Sequence, residues 1–412
     1  MLLKGNCLEL LAEMPDNSVD SIVTDPPYEL GFMGKSWDNS GIAYNVELWN
    51  QALRVLKPGG HLLAFGGSRT YHRLASAVED AGFEIRDQIM WLYGSGFPKS
   101  LNVGKAIDKA AGLREAVGVG FVAAGDYNGR DLKAPNRDFI DPELVSLEAK
   151  QWEGWGTALK PAHEPIVVAR KFLIGTVATN VLTYGTGALN IDGSRVGTTV
   201  ETWPASRSFA SGISSGFTEG LEKGETQATG EAPAGRWPAN VIHDGSEEVL
   251  EGFPEVKGQM GMTKDAGGHR FIVGDLDSVQ KFTKGKTDSG SAARFFYCAK
   301  ASKSERNAGL EGFEDKARPT MGNGIGGQPN QQIENNKNIH PTVKPIALMR
   351  YLVKLVTPPN GTVLDPFLGS GTTAVAAILE GFNWMGCEMT EDYWPIIEAR
   401  VAWAELQPKT LL

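Results

Sequence analysis

Apolar residues recur along this chain with spacings that predict alternating strands and helices at both ends and little regular structure between them. Near the start, Ser18-Val19-Asp20-Ser21-Ile22-Val23-Thr24 is a short β-branched run that predicts a buried strand. Before it, residues 8–14 carry the 3.6-residue apolar spacing of a helix, which Pro15-Asp16-Asn17 breaks. Residues 46–56 are amphipathic, with Leu48, Trp49, Ala52, Leu53, Val55 and Leu56 near one face, and Lys57-Pro58-Gly59-Gly60 stops them. A strand at 61–65, a helix at 68–81 ending at Gly82 and a bent strand at 83–93 continue the rhythm. Residues 94–160 are less regular, with one predicted helix near 103–116, and 166–169 form a strand ending in Arg170-Lys171. From 176 to 338 Gly, Ser, Thr, Asn and Pro dominate, and 212–235 has almost no large apolar residue. The rhythm resumes with a helix Ile346–Val356, opened by Pro345 and closed by Pro358-Pro359, then a strand at 362–364. A helix at 372–380 stopped by Gly381 follows, then a strand at 383–387 with Glu388 at its tip. Thr390 is placed to cap the last helix, with Glu391 and Asp392 favourable in its first turn. Strand–helix alternation predicts an α/β sheet of parallel strands with helical crossovers. The expected organisation is two flanking parts, 1–175 and 335–412, around an inserted irregular region, 176–334.

Composition narrows the class. The chain has 412 residues, 41% hydrophobic and 22% charged, with no long apolar span or signal-peptide pattern, so a soluble cytoplasmic protein without a membrane partner is expected. Its three cysteines, Cys7, Cys298 and Cys387, form neither a disulfide framework nor a zinc-binding spacing, and no metal is expected. A net charge of −9 argues against indiscriminate nucleic-acid binding by the whole surface. Locally, residues 257–306 hold ten basic against five acidic residues. Lys281, Lys284, Lys286, Arg294, Lys300 and Lys303 are therefore candidate phosphate contacts, against the plainer reading of a solvated charged loop.

Candidate chemistry sits at the two ends. Asp25-Pro26-Pro27-Tyr28 follows the first buried strand and sets a carboxylate, two stiff prolines and an aromatic ring at its end. An acceptor beside a flat surface suits chemistry on an aromatic amine; the plainer reading is a turn. A loop containing Gly31, Phe32, Met33, Gly34 and Trp37 follows and is a candidate cover. At the far end, Asp365-Pro366-Phe367-Leu368-Gly369-Ser370-Gly371-Thr372 leads from a strand into a helix. Gly369-x-Gly371-x-x-Ala374 meets the loose dinucleotide fingerprint, with Glu388 in range of ribose hydroxyls. A nicotinamide or flavin site is one reading. Against it, Asp365 would repel a pyrophosphate but suits a cationic ligand, and an oxidoreductase gives Asp25-Pro26-Pro27-Tyr28 no task.

These residues resemble the amino-group DNA methyltransferases, which methylate adenine N6 or cytosine N4. Asp25-Pro26-Pro27-Tyr28 is similar to their catalytic motif, Asp365-Pro366-Phe367-x-Gly369-x-Gly371 to their S-adenosylmethionine motif, and His340-Pro341-Thr342-x-Lys344-Pro345 to the motif closing over the methionine end. The catalytic motif comes first, as in the circularly arranged β-type. The resemblance covers roughly residues 1–175 and 335–412 and implies a Rossmann-like methyltransferase fold, with target recognition between the two parts. Three further stretches, residues 94–100, 156–165 and 296–301, resemble phage and prophage DNA methylases. The resemblance implies S-adenosylmethionine as cofactor, held by Asn6, Cys7, Asp25, Thr342, Lys344, Asp365, Pro366, Phe367, Gly369, Ser370, Gly371, Thr372 and Glu388. Asn6 departs from the family's usual aspartate after Gly5 and is expected to serve the cofactor's adenine through its amide. Catalysis falls to Asp25, Pro26, Pro27 and Tyr28: Asp25 and the Pro26 carbonyl accept the amine's N–H groups, and Tyr28 stacks on a flipped base. Double-stranded DNA is the implied partner, and a homodimer and a cognate restriction endonuclease are compatible ones. No cysteine follows a proline, so cytosine-C5 chemistry is excluded, and aspartate as first motif residue favours adenine N6 over cytosine N4. A non-catalytic DNA-binding regulator on the same fold is the reading from another class.

Overall fold

The computed structural model describes residues 1–30, 36–96, 100–113, 143–197, 206–208, 226–228, 235–256, 290–299, 303–322 and 330–408. The chain divides into two compact units: Met1–Gly94 with His163–Glu314 and Lys337–Leu412, and Ser95–Ala162 with Asp315–Asn336. Short strands from within 176–334 are built into the first unit's sheet.

That sheet holds β1 (Leu2–Lys4), β2 (Val19–Thr24), β3 (Leu56–Phe65), β4 (Glu84–Leu92), β5 (His163–Arg170), β6 (Val241–His243), β7 (Tyr297–Cys298), β8 (Thr362–Asp365) and β9 (Asn383–Glu388), in the order β1-β9-β8-β2-β3-β5-β4-β6-β7. Neighbours run parallel except around β5, which is antiparallel to both β3 and β4. The all-parallel expectation is corrected at that one strand. Lys57-Pro58-Gly59-Gly60 ends the preceding helix as expected, yet it lies inside β3, whose register on β2 shifts between Val19 and Ser21. Pro58 has no N–H to give the ladder, so the strand bulges there and resumes at His61.

Alternation along the strands feeds two faces. Ile22, Leu62, Ala64, Val167 and Leu364 join α1 (Cys7–Glu13), α2 (Val46–Val55) and α3 (Tyr71–Asp80) in one core cluster. The second unit contributes α4 (Val103–Ala110) and α5 (Leu147–Gln151), and the first continues with α6 (Val177–Tyr184), α7 (Glu247–Glu251) and α8 (Lys303–Arg306). Val23, Leu63, Phe65, Ile166 and Val363 pack against α9 (Ile346–Val356) and α10 (Thr372–Leu379) on the opposite face. α11 (Trp394–Glu405) closes over α10 through Ile396, Ile397 and Ala404. Chain connections leave β2 toward one face and β8 toward the other, which opens a crevice beyond the carboxyl ends of these adjacent strands. No helix among the described residues is long and apolar enough to cross a membrane.

In the second unit, the Asp108 carboxylate is buried and accepts from the backbone N–H groups of Val145 at 2.7 Å and Ser146 at 3.0 Å, and from the Ser146 hydroxyl at 2.6 Å. Trp152 and Trp155 meet edge to face at 5.0 Å. Lys316–Gly322 pairs with Asn330–Asn336 as an antiparallel ribbon. The predicted helix near 103–116 is observed over Val103–Ala110, and residues 114–116 lie outside the described residues.

Candidate active site

Sheet order brings both ends of the chain to one edge. β2 and β8 pair with Ser21 opposite Val363 and Ile22 opposite Leu364, so Asp25 and Asp365 leave neighbouring strands on the same side. The Thr24 hydroxyl donates to Asp365 Oδ1 at 2.6 Å across the crevice, and the Thr373 hydroxyl donates to Oδ2 at 2.6 Å. Phe367 N–H also donates to Oδ1 at 3.0 Å. Asp365 is only 2% exposed, and burial pushes its carboxyl up to about 6 against the pull of those donors. Its oxygens are thus spent on clasping β2, the glycine turn and the start of α10 together.

The turn itself is a tight cradle. Gly369 has φ +56°, and a Cβ there would stand 2.9 Å from His340 Nε2. Only glycine accepts both the conformation and the imidazole. Gly369 N–H donates to Glu388 Oε2 at 2.8 Å, while Thr390 N–H donates to Oε1 at 2.7 Å. Glu388 is 9% exposed, and burial raises its carboxyl. Under the turn, the fully buried Arg400 donates to the Ser370 carbonyl at 2.7 Å and hydroxyl at 2.9 Å, and to the Thr372 hydroxyl at 3.1 Å. β1 runs beside β9 with Lys4 opposite Glu388, and this carries Asn6 and Cys7 to the same edge. Asn6 caps α1 by accepting Leu8 N–H at 2.9 Å. The Cys7 thiol is buried, which pushes it up to about 11.

Around Asp25 the charges are crowded. Lys344 Nζ lies 2.7 Å from Asp25 Oδ2, 3.3 Å from Glu164 Oε2 and 3.2 Å from the Tyr28 hydroxyl, which itself donates to Glu164 Oε2 at 2.8 Å. The ammonium also sits 4.9 Å from the Phe65 ring centre and 5.3 Å from that of Tyr28. Asp25 Oδ1 is buried and has no hydrogen-bond partner among the described residues. Burial and then Glu164 raise the Asp25 carboxyl, with Lys344 opposing them. Burial pulls Lys344 down, but Asp25 and Glu164 outweigh it and hold the ammonium above the ordinary lysine range. Tyr28 is pushed well up by burial and by the same two carboxylates. Its ring is seated against Gly67, where a Cβ would stand 3.2 Å from Tyr28 Cδ2, and its carbonyl accepts the Thr70 hydroxyl at 2.9 Å.

Most expected residues meet at this edge: Asn6, Cys7, Asp25 to Tyr28, Lys344, Asp365 to Thr372 and Glu388. Thr342 is exposed two residues from Lys344, its N–H on His340 Nδ1 at 3.3 Å. The Lys344 ammonium lies on the Asp25–Glu164–Tyr28 group, drawn there by two half-buried carboxylates. Glu164, Thr24, Thr373, Phe65 and Arg400 are site residues that motif reading did not mark. Lys281, Lys284, Lys286, Lys300 and the loop 31–35 lie outside the described residues, as do the side chains of Trp37 and Lys303. Arg294 donates to the Ser291 carbonyl at 2.6 Å and lies 4.3 Å from the Phe295 ring centre, so its guanidinium serves its own turn.

The donor set fits a cationic cofactor. Four carboxylates (Asp25, Glu164, Asp365 and Glu388) stand against the Lys344 ammonium and the Arg400 guanidinium beneath the turn, a balance that repels a pyrophosphate and favours a sulfonium. Glu388 stands at the strand tip, tied to the glycine cradle through Gly369 N–H.

The sequence pattern of a DNA methylase family, the N6/N4 type, matches residues 19–172 and 258–399. Over 63 residues, 15% of this chain and 28% of the relative, the chain is 44% identical to the methylase-named protein YubD of Escherichia coli K12. Over 105 residues, 24% of this chain and 33% of the relative, it is 32% identical to the type II methyltransferase M.HpaI of Haemophilus parainfluenzae. The matches therefore span about a third of the length of these curated relatives. Among solved structures, the PvuII DNA methyltransferase, cytosine-N4-specific, aligns over 100% of this chain and 87% of its own at 14% identity, with a TM-score of 0.42.

Proposed function

This chain belongs to the N6/N4 DNA methylase family, and from that membership we propose that it transfers a methyl group from S-adenosylmethionine to the exocyclic N6 amine of a flipped adenine in double-stranded DNA. The observation that carries the reading is Asp25 Oδ1, a buried acceptor without a partner among the described residues, one residue from the Thr24–Asp365 clasp. A buried lone acceptor is costly to a fold and useful only to an incoming donor.

S-adenosylmethionine, when bound, supplies an electrophilic methyl group on a sulfonium. Gly369, Gly371, Glu388, Asn6 and the backbone of Cys7 would hold its adenosine end, and Asp25 and Asp365 supply the negative field for its cationic centre. The chain's remaining task is to make a poor nucleophile attack. An aromatic amine's lone pair is delocalised into the ring. Asp25 Oδ1 and the Pro26 carbonyl accept its two N–H bonds, pull the nitrogen toward tetrahedral geometry and localise that pair. Tyr28 presents its ring as the stacking surface for the flipped base. After transfer the nitrogen carries one proton too many, which Asp25 takes and passes to water.

The experiment is incubation with tritiated S-adenosylmethionine and methylase-free DNA, followed by digestion to nucleosides. Label is expected in N6-methyladenine and lost by about a hundred- to a thousandfold in Asp25→Ala, the size of effect that removal of a key polar group at a reacting centre has. Label in N4-methylcytosine would place the chain with the other half of the family. No label in either base would overturn the methyltransferase reading.

A further inference from the structure

We propose that Glu164 is a positioning residue that keeps Asp25 open to the target amine by drawing off the two donors that compete for it, the Lys344 ammonium and the Tyr28 hydroxyl. The proposal rests on the methyl-transfer reading of the site and adds to it a residue outside all three motifs.

The geometry is specific. β5 is antiparallel to β3, with Ile166 opposite Phe65, and Gly66 N–H donates to the Pro165 carbonyl at 2.9 Å. The beginning of β5, and with it Glu164, therefore lies at the edge where β2 and β3 end. Two donors stand beside Asp25 there. Lys344 Nζ is 2.7 Å from Asp25 Oδ2 but also 3.3 Å from Glu164, so one ammonium is divided between two carboxylates. Tyr28 has a single hydroxyl proton, and it goes to Glu164 Oε2 at 2.8 Å. The consequence is visible on Asp25: Oδ2 is taken by Lys344, while Oδ1 has no partner among the described residues.

Taking away the Glu164 charge changes both allocations. The ammonium then has one carboxylate instead of two and concentrates on Asp25, which becomes a weaker acceptor for an N–H group. The phenol, held less strongly by a neutral partner, is free to turn its proton toward Asp25. Either change fills the acceptor that the amine needs. Packing alone does not call for this arrangement, because half-buried charges pay part of a desolvation cost that a well-packed apolar side chain avoids.

Glu164→Gln keeps the shape and removes the charge. Single-turnover methyl transfer, measured at saturating cofactor, is expected to fall about ten- to a hundredfold. The acid limb of the pH–rate profile is expected to move to lower pH, because a neighbouring negative charge that raises the Asp25 carboxyl has gone. A readout without DNA or cofactor is amine acylation followed by peptide mass spectrometry. Lys344, losing one of the two carboxylates that hold its proton, is expected to acylate several-fold faster at pH 9 in Glu164→Gln than in wild type, at matched thermal stability. A rate within about twofold of wild type, an unmoved acid limb or unchanged Lys344 acylation would each overturn the proposal. If wild-type protein transfers no methyl group to DNA, the methyltransferase reading fails, and the acylation comparison still decides whether Glu164 shares the Lys344 charge.

Discussion

At the scale of single residues, the site is a set of carboxylates treated differently by their surroundings. Asp25 keeps one oxygen open, Glu388 gives both to backbone N–H groups, and Asp365 gives both to hydroxyls and one N–H. Asp365 has a consequence for stability. Its folded value, about 6, stands above the ordinary 3.8, so the fold favours the protonated form. That contribution is fully present below about pH 3.8 and is lost as pH rises through about 6, a change on the order of 3 kcal/mol. Asp365→Asn, which cannot ionise, should therefore flatten the fall in stability between pH 4 and 7 measured by urea unfolding; an unchanged slope would remove Asp365 as its source. Asp25, Asp365 and Glu388 were legible as candidates because each stands at the end of a strand whose apolar run announces it, and Tyr28 because it completes the motif after Asp25. Glu164 fell in a stretch that resembles phage methylases but had no role to read there. It precedes an apolar run instead of following one, and only the reversed direction of β5, which no local pattern encodes, brings the start of that strand to the working edge.

Elements position these residues through direction and turn geometry. β2 and β8 deliver their carboxylates side by side because both run parallel, and the glycine turn after β8 lets α10 start directly behind Asp365. Gly369→Ala puts a side chain at φ +56° and within 2.9 Å of His340. The strain should cost about 1–3 kcal/mol, read by calorimetry as cofactor binding weakened roughly tenfold or more, with thermal unfolding showing the fold retained. Binding as tight as wild type would mean that the turn is not the cofactor's cradle. The periodicities of α2, α3, α9 and α10 and the runs of β2, β3 and β8 were all readable, since each has one or both faces in the core. β6 and β7 were not, because strands of two or three residues are too short to show a period and are held by their neighbours in the sheet.

Over the whole molecule, the catalytic and cofactor motifs stand at opposite ends of the sequence and meet only because β8 and β2 are neighbours. Two half-sites of one reaction at opposite ends of the chain imply neighbouring strands of one sheet, and the pairing of Val363 with Ser21 and of Leu364 with Ile22 bears that out. Charge belongs to this scale too. On the proposed function, a chain of net charge −9 would meet DNA through a local basic face against a repulsive background, with residues 257–306 as the candidate stretch. DNA binding should therefore be steeply salt-dependent, weakening by about tenfold or more between 50 and 200 mM salt in fluorescence anisotropy; a flat response would exclude phosphate contacts as the source of affinity. The central claim is that the ends of β2 and β8 form a site that methylates adenine N6, with Asp25 as the acceptor. It is tested most directly by expressing the wild-type chain and Asp25→Ala in a methylation-deficient host and measuring modified nucleosides in the host DNA by mass spectrometry. N6-methyladenine is expected with the wild-type chain and a large loss of it with Asp25→Ala. N4-methylcytosine in its place, or equal N6-methyladenine from both chains, would contradict it.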